Sequence, residues 1–326
     1  MVITMYGYEI FHEDILNRLI RSVRDNKNAS AYIFEGHRGL HKTEAARLFA
    51  KSLVCDEPEN APCCGCPSCA ESQAGTHPDI IYIEKEKDRA SLGVGPIRDM
   101  VTECGIKPFG KRHKVFIIPE GDLLTPEAEN AFLKIIEEPP EYAVFIIICT
   151  NAESLLETVR SRSIIVTFPP VSEEVVQHYI ESRYPDEPRI DFFVKYCEGI
   201  PGAADRLISD PELEGFRDEV LSLVPRLLSK NKAHGFEISD YIEKNKDKAA
   251  EICDLLLMYT RDAMVSAMGS PEKVINTDKR DKIDLLVQSY PAERIAAGVS
   301  ELITARKMLD RHVKASAAIL HAALGI

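Results

Sequence analysis

Residues 31–50, AYIFEGHRGLHKTEAARLFA, decide the fold class of this chain. A short apolar run is followed by a turn with two glycines and then by apolar residues at helical spacing, which predicts a strand, a loop and a helix. Such a loop can bind phosphate, because backbone N–H groups and the positive end of the helix dipole converge on an anion. The segment is similar to the phosphate-loop pattern G-x-x-x-x-G-K-[ST].

The match to that pattern is degenerate at one position. Gly36, Lys42 and Thr43 fit, and Gly39 adds a further flexible point, whereas His41 stands where the second glycine is required. Histidine accepts unusual backbone angles better than most residues, so the loop can keep its shape. Its ring, however, occupies space that a phosphate needs. We expect a phosphate-loop fold that has lost useful ATP binding; the alternative is a strand, turn and helix that match the pattern by chance.

Outside this segment, strand-like apolar runs alternate with helical patterns. The strand-like runs are DIIYIE, KVFIIP, YAVFIIICT and SIIVTF. In the helical segment TPEAENAFLKIIEEPP, Thr125 is the predicted N-cap and Pro126 the first helical residue. This alternation predicts an α/β domain with a parallel sheet that helices cover on both faces. The strand pattern ends near Phe168.

We expect three domains from this organisation, which a chain of 326 residues can accommodate. The α/β domain with the phosphate-loop topology occupies residues 1–169, and a small helical domain occupies residues 170–209. An all-helical domain follows at 210–326, with long periodic segments at 248–268 and 291–323.

Charge and composition exclude several classes of protein. The net charge of −12 argues against a chain whose whole surface binds nucleic acid. KPFGKRHK at 107–114 is nevertheless a local basic cluster. We interpret this cluster as a solvated loop before a strand. No apolar run approaches the length of a membrane span, and the N-terminal residues show no signal-peptide pattern. We expect a cytoplasmic protein.

Five of the nine cysteines lie within fifteen residues. Cys55, Cys63, Cys66 and Cys69 can supply four thiolates to tetrahedral Zn²⁺, and such a closed shell is structural rather than catalytic. Cys64 could replace Cys63, but the two-residue spacing favours Cys63. An iron–sulfur cluster and redox thiols are alternatives. A nucleic-acid-binding zinc ribbon is a further alternative, which the acidic residues of the segment oppose.

A phosphate-loop enzyme also needs an acidic residue at the end of a neighbouring buried strand, where it holds Mg²⁺ through water. The candidate strand is 114–118, and the residue after it is Pro119, which offers no group to a metal ion. Glu120 and Asp122 lie nearby. Successive strand residues point to opposite faces, so Glu120 does not simply replace residue 119. We interpret both acids as loop residues.

Three further segments carry a resemblance to a known family. They are KVFIIPEGDLLTPEAENAFLKIIEEPP at 114–140, HPDI at 77–80 and LLETVRSRS at 155–163. In order and spacing they are similar to segments of bacterial clamp-loader subunits of the AAA+ family. The similarity covers most of the first 210 residues, and the remainder resembles the family only as an all-helical domain. The resemblance implies an AAA+ domain, a helical lid and a C-terminal collar through which subunits assemble.

Within that family the chain resembles the delta-prime type of DNA polymerase III subunit more than the ATP-hydrolysing gamma/tau type. His41 replaces the loop glycine and Pro119 replaces the metal-holding Asp. Gly202, in EGIPGAADRL, stands where gamma-type chains carry a nucleotide-sensing Arg. Three departures at one nucleotide site argue against ATP hydrolysis by this chain.

The same resemblance implies what the chain offers to a neighbour. Arg162 in LLETVRSRS matches the family's arginine finger, which reaches across a subunit interface to the neighbour's ATP. Ser163 follows where Cys is usual, and Arg160 fits the finger position less well. A guanidinium there stabilises charge on the transferred phosphoryl group. The alternative is a surface arginine that caps a helix end.

Three functions are open at this point. The first is a non-catalytic clamp-loader subunit with structural Zn. Its partners would be gamma/tau-type and delta-type subunits and, through the complex, the sliding clamp and primed DNA. The second is an active gamma/tau-type AAA+ ATPase, which His41, Pro119 and Gly202 oppose. The third is a nucleic-acid-binding zinc protein, which the net charge of −12 opposes.

Overall fold

The structure, a computed structural model, describes residues 3–5, 8–87, 89–110, 112–311 and 313–325. The chain divides into two compact units. The first contains Met1–Arg183 and Glu198–Gly202, and the second contains Tyr184–Cys197 and Ala203–Ile326. The three-domain division expected from the sequence, with boundaries after residues 169 and 209, stays a prediction.

The first unit contains the parallel sheet that the alternating pattern predicts. A short antiparallel pair, β1 (Ile3–Met5) and β2 (Tyr8–Ile10), precedes it. The sheet itself consists of β3 (Ala31–Glu35), β4 (Ile80–Tyr82), β5 (Lys114–Ile118), β6 (Ala143–Cys149) and β7 (Ile164–Thr167). Its spatial order is β4-β5-β6-β3-β7, and every neighbouring pair is parallel.

Helices cover both faces of this sheet. The helices of the first unit are, in chain order, α1 (Glu13–Arg24), α2 (Lys42–Val54), α3 (Pro67–Ala74), α4 (Val94–Cys104), α5 (Pro126–Glu137), α6 (Glu157–Arg160) and α7 (Glu173–Arg183). Val115 and Ile117 pack in the core formed with α1 and α2, whereas Phe116 and Ile118 pack in the core formed with α4 and α5. Strands buried on both faces need continuous apolar runs, which explains the composition of β5 and β6.

The direction of the strands determines where the functional residues lie. Because all five strands run the same way, the loops after their C-terminal ends meet at one edge of the sheet. β3 lies next to β6, and β6 lies next to β5. The loop before α2, the turn after β5 and the turn after β6 are therefore neighbours.

The second unit is helical throughout the part of it that the structure describes. It contains α8 (Ile190–Tyr196), most of α9 (Gly202–Ser209), α10 (Pro211–Leu228), α11 (Lys232–Lys244), α12 (Ala249–Ala267), α13 (Arg280–Ser289), α14 (Ala292–Asp310) and α15 (Ala315–Leu324). The periodic segment at 291–323 is thus two helices, and the break between them lets α15 pack against both α11 and α14. Among the helices described, none combines the length and apolar character needed to cross a membrane.

A buried arginine ties the elements of the second unit together. Arg217 on α10 is fully buried, and its guanidinium lies 3.2 Å from Asp278 and donates to the Asn276 side chain at 2.9 Å. Its other face stacks on Phe192 of α8, 4.3 Å from the ring centroid. A charge buried this deeply is tolerated only when it is paired, so this network fixes α8 against α10.

Candidate functional site

The strand, loop and helix predicted at 31–50 are present at the C-terminal edge of the sheet. β3 ends at Glu35 and α2 begins at Lys42. Gly36 has a φ of 147°, and a Cβ at this position would lie 2.4 Å from the carbonyl oxygen of Phe168. Only glycine fits there, because both the backbone angle and the space exclude a side chain.

His41 keeps the path of the loop but changes what fills it. Its φ of 54° and ψ of 34° are left-handed, the region in which histidine is tolerated better than most residues. The imidazole ring packs 4.6 Å from the ring of Phe11 and 5.7 Å from that of Tyr179, measured between centroids. The ring at position 41 is therefore part of an aromatic cluster beside the loop.

The loop lysine is engaged by its own loop. Lys42 is buried, and its ammonium donates hydrogen bonds to the carbonyl oxygens of Gly36 and His37, the latter at 2.8 Å. Burial lowers the pKa of Lys42 from its usual value. Two of the three N–H donors of the ammonium are thus used within the loop. In a lysine that binds phosphate, these donors would point at the ligand.

A direct backbone contact closes the loop from the opposite side. The N–H of Gly202, the first residue of α9, donates to the carbonyl oxygen of Gly39 at 3.0 Å. A Cβ at position 202 would lie 2.5 Å from the Cα of Gly39, closer than side chains approach backbone. No arginine fits at position 202 in this arrangement. The sequence could indicate that a sensing arginine is missing, but not that the two glycine backbones touch.

The acids after β5 are used by neighbouring loops. Glu120 lies 3.5 Å from the ammonium of Lys85. The Asp122 carboxylate accepts the backbone N–H and the hydroxyl of Thr150, each at 2.9 Å, and so fastens the turn after β6. Pro119 itself lines the cleft.

An open cleft remains between these elements. It is lined by residues of the loop and α2 and by the ends of β5 and β6, namely Arg38, Gly39, His41, Lys42, Thr43, Glu44, Pro119, Glu120, Asp122, Ile148, Cys149 and Thr150. Cys149 is buried there, and burial raises the pKa of its thiol to about 12. The cleft therefore offers Mg²⁺ neither a carboxylate at position 119 nor a thiolate.

The cysteine group lies at the other end of α2. The sulfurs of Cys55, Cys63, Cys66 and Cys69 all lie within 4.8 Å of one another, and those of Cys55 and Cys66 are 4.0 Å apart. Four sulfurs at 2.3 Å from a tetrahedral ion would be about 3.8 Å apart. The group fits a single metal ion. Within the described part of the chain, it is the only such group of three or more His, Cys, Asp or Glu side chains.

Local backbone geometry holds these cysteines in place. Cys55 caps the C-terminal end of α2, and the Cys66 sulfur accepts the N–H of Cys69 at 3.4 Å as the N-cap of α3. The N–H of Cys63 donates to the Cys55 sulfur at 3.4 Å. The pKa of Cys63 is lowered to about 7, chiefly by a hydrogen bond from the backbone of Gly65. This N–H group favours the thiolate of Cys63, the form that binds metal, whereas burial raises the pKa values of Cys55 and Cys69.

Cys64 does not belong to the group. It is exposed, its φ is 58°, and its thiol lies 3.8 Å from the carbonyl oxygen of Pro62. The sulfur that lies with the other three is that of Cys63, as the two-residue spacing favours.

The HPDI segment at 77–80 contacts the basic cluster at 107–114. Asp79 is fully buried, and its carboxylate accepts the backbone N–H groups of Phe109 and Gly110 at 2.9 and 2.7 Å. Lys114 is also fully buried and pairs with Glu103, so the cluster is not uniformly solvated. Lys111 lies outside the described residues. The two buried charges hold a loop on which Phe109 is 81% exposed.

Arg162 lies at the surface, directly before the edge strand β7. Its side chain is 38% exposed; Nη2 lies 3.0 Å from Oε1 of Glu137, and Nη1 donates to the carbonyl oxygen of Thr158 at 3.1 Å. Arg160 is half-buried, and its Nε makes no hydrogen bond to the residues that the structure describes. Of the two arginines, Arg162 is the more exposed.

Comparisons with known proteins agree with this architecture. Residues 11–172 match the family model described as "DNA polymerase III, delta subunit", and residues 217–321 match "DNA polymerase III, delta subunit, C terminal". A crystal structure of a DNA polymerase III gamma subunit-related protein from Thermotoga maritima superposes with a TM-score of 0.52 at 17% identity, covering 96% of this chain and 99% of that one. This last similarity concerns the fold alone.

Two curated relatives are subunits of one type. The DNA polymerase III subunit delta' of Bacillus subtilis is 25% identical over 314 residues, which are 95% of this chain and 94% of the relative. The subunit delta' of Yersinia pestis is 31% identical over 245 residues, 72% of this chain and 71% of the relative. With an AAA+-like sheet, a helical C-terminal region and relatives of this kind, the chain belongs to the delta-prime family of DNA polymerase III clamp-loader subunits.

Proposed function

We propose that this chain is a non-catalytic delta-prime-type subunit of a clamp loader in DNA replication. Its own phosphate loop does not bind ATP productively. The chain acts instead on the ATP of a neighbouring subunit, through Arg162. The single observation that carries the proposal is the contact between Gly39 and Gly202, in which the chain's own backbone packs against the phosphate loop and leaves no room for a sensing arginine at position 202.

Three features of the cleft support the loss of ATP binding and hydrolysis. The Lys42 ammonium donates to its own loop, the His41 ring packs against Phe11 and Tyr179, and Pro119 replaces the acid that would hold Mg²⁺. Each of these removes a different requirement of phosphoryl transfer, namely charge on the phosphates, access to the loop and metal. A change at one position alone would not restore the site.

Exposure and geometry support Arg162 as the group that acts in trans. A planar guanidinium can hold two phosphate oxygens at once, and it stays charged at all physiological pH values. Arg162 follows the short helix α6 and lies just before the outermost strand of the sheet, where its side chain is 38% exposed. In a complex it would neutralise charge on the phosphoryl group that the neighbour transfers.

The proposed partners follow from the delta-prime relatives. They are gamma/tau-type and delta-type subunits of a hetero-oligomer, and through that complex the sliding clamp and primed DNA. The cytoplasmic location expected from the sequence is consistent with these relatives and stays a prediction.

The metal that we propose for the cysteine group is zinc. Four cysteine sulfurs within 4.8 Å of one another suit tetrahedral Zn²⁺, which would cross-link the end of α2 to the start of α3 and leave no open position for chemistry. Cys55, Cys63, Cys66 and Cys69 would hold it. The role is structural.

The first test is Mg-ATP binding and hydrolysis by the purified chain alone, by calorimetry and phosphate release. We expect neither heat of binding nor release of phosphate. Binding without release would make the nucleotide a structural ligand. Sustained turnover by the isolated chain would overturn the proposal in favour of an active gamma/tau-type ATPase.

A further inference from the structure

Two carboxylates of α5 contact the segment that carries Arg162. Glu129 lies near the start of α5 and Glu137 is its last residue. The first contacts the backbone at the beginning of α6, and the second contacts the guanidinium of Arg162 itself. Both ends of the short segment between Leu156 and Arg162 are therefore held by one helix.

Glu129 fixes the beginning of that segment. Its side chain is 3% exposed, and its Oε2 accepts the backbone N–H of Leu156, the N-cap of α6, at 2.7 Å. A carboxylate is favoured at a helix N-terminus, where N–H groups are otherwise unpaired. Because α6 is only four residues long, fixing Leu156 also fixes the backbone from which Arg162 extends.

Glu137 holds the other end, and it turns the guanidinium back onto the chain. Its Oε1 lies 3.0 Å from Nη2 of Arg162, while Nη1 donates to the carbonyl oxygen of Thr158 at 3.1 Å. Both terminal nitrogens are thus engaged within the subunit. These are the nitrogens with which an arginine contacts two phosphate oxygens. Arg162 has to leave Glu137 before it can make that contact in full.

We infer that Glu137 is a positioning residue that restrains Arg162 until a neighbour's phosphates replace it, with Glu129 as the fixed support. This inference rests on the proposed function, because it concerns how the same arginine is presented. The ion pair is half-exposed, so its restraint is modest. We expect its removal to change finger engagement about two- to five-fold, the range of exposed ion pairs.

The experiment compares Glu137→Gln with Glu138→Gln in the clamp-loader assembly reconstituted from full chains. Both variants remove one exposed negative charge at adjacent positions, and the structure places only Glu137 against Arg162. We expect E137Q to raise ATP turnover about two- to five-fold at low salt and E138Q to leave it unchanged. The gain should shrink as ionic strength rises, because salt screens the ion pair that restrains the wild-type chain.

A double-mutant cycle separates the inference from the proposed function. In an Arg162→Ala background E137Q should have no effect, because the group that it releases is absent. If Arg162→Ala alone leaves turnover unchanged, the finger proposal fails. If Arg162→Ala lowers turnover but E137Q matches E138Q or slows the assembly, the finger stands and the restraint by Glu137 is refuted.

Discussion

Helix α2 joins two candidate sites, and the difference between them is the direction in which their polar groups point. At its C-terminal end, Cys55 and three other cysteines direct sulfurs at a common point, all within 4.8 Å of one another. At its N-terminal end, Lys42 donates to carbonyl groups of its own loop, and the Gly39 carbonyl accepts from Gly202.

A set of ligating groups whose sulfurs all lie within 4.8 Å of one another could hold one metal ion. A set of groups that satisfy one another requires nothing further. The comparison shows that the residue types of a sequence motif do not by themselves define a binding site. Gly36, Lys42 and Thr43 fit the phosphate-loop pattern as well as the four cysteines fit a metal pattern, yet only the cysteines bring their ligating atoms together at one point.

The largest effect is expected from removal of the metal. Chelation should destabilise the α/β unit by about 3 kcal/mol or more, because zinc binding in small structural sites contributes on the order of 10 kcal/mol to folding. The unfolding transition of the helical unit should change much less. Thermal unfolding with and without chelator checks this, together with a mass measurement of bound metal on the native protein.

A matched pair of cysteine variants sharpens the same prediction. Cys66→Ser removes a sulfur of the group, whereas Cys64→Ser changes an exposed thiol two positions away that lies outside it. We expect only Cys66→Ser to abolish metal binding and lower the melting temperature. Equal behaviour of the two variants, or native protein without metal, would contradict a metal site at this end of α2.

The next effect tests whether the other end of α2 is closed by its own backbone. Gly202→Ala would place a Cβ 2.5 Å from the Cα of Gly39 and should destabilise the chain by about 1–3 kcal/mol. Gly215→Ala is the control, because position 215 lies in α10 with open space around it. That substitution should stabilise the helix by about 0.5–1 kcal/mol. Urea unfolding measures both, and a Gly202→Ala variant as stable as wild type would mean that the loop is open.

The smallest effect is expected at His41. His41→Gly restores the motif glycine. It removes the strain of a left-handed backbone angle, which stabilises the chain, and it removes the ring contacts to Phe11 and Tyr179, which destabilises it. The net change in the free energy of unfolding should therefore stay within about 1 kcal/mol. It should not create an ATPase, because Pro119 still offers no acid to Mg²⁺. His41→Asn separates the two effects, since Asn tolerates the backbone angle without the ring. Phosphate release from His41→Gly alone would show that one residue had blocked a working site.

Local patterns in the sequence predict much of the α/β unit. The apolar runs correspond to β3 through β7, and Thr125 caps α5 as the motif indicates, accepting the N–H of Ala128 at 3.3 Å. The preference for Cys63 over Cys64 could also be predicted, because it depends on short-range spacing. At His41 the sequence predicts tolerance of an unusual backbone angle, and the structure shows that the angle is left-handed.

Contacts between distant segments could not be predicted in this way. No local signal links Gly39 to Gly202, Glu137 to Arg162, or Asp79 to the backbone of Phe109, because each pair meets only once the sheet order brings its elements together. These contacts determine whether the loop is closed and how the arginine is presented. Spacing in the sequence identifies the candidate residues, whereas tertiary packing determines which hydrogen bonds and ion pairs they make.

The central claim is that this chain works on a neighbour's ATP and not on its own. The most direct measurement is ATP hydrolysis by the reconstituted assembly containing wild type, Arg162→Ala or Arg162→Lys, with folding of each variant checked by thermal unfolding. Arg162→Ala should leave folding intact, because the side chain is exposed, and should slow the site that it faces by about 10³-fold or more. Arg162→Lys should restore little, because a point charge cannot replace the guanidinium fork. Unchanged turnover in the Arg162→Ala assembly would contradict the account.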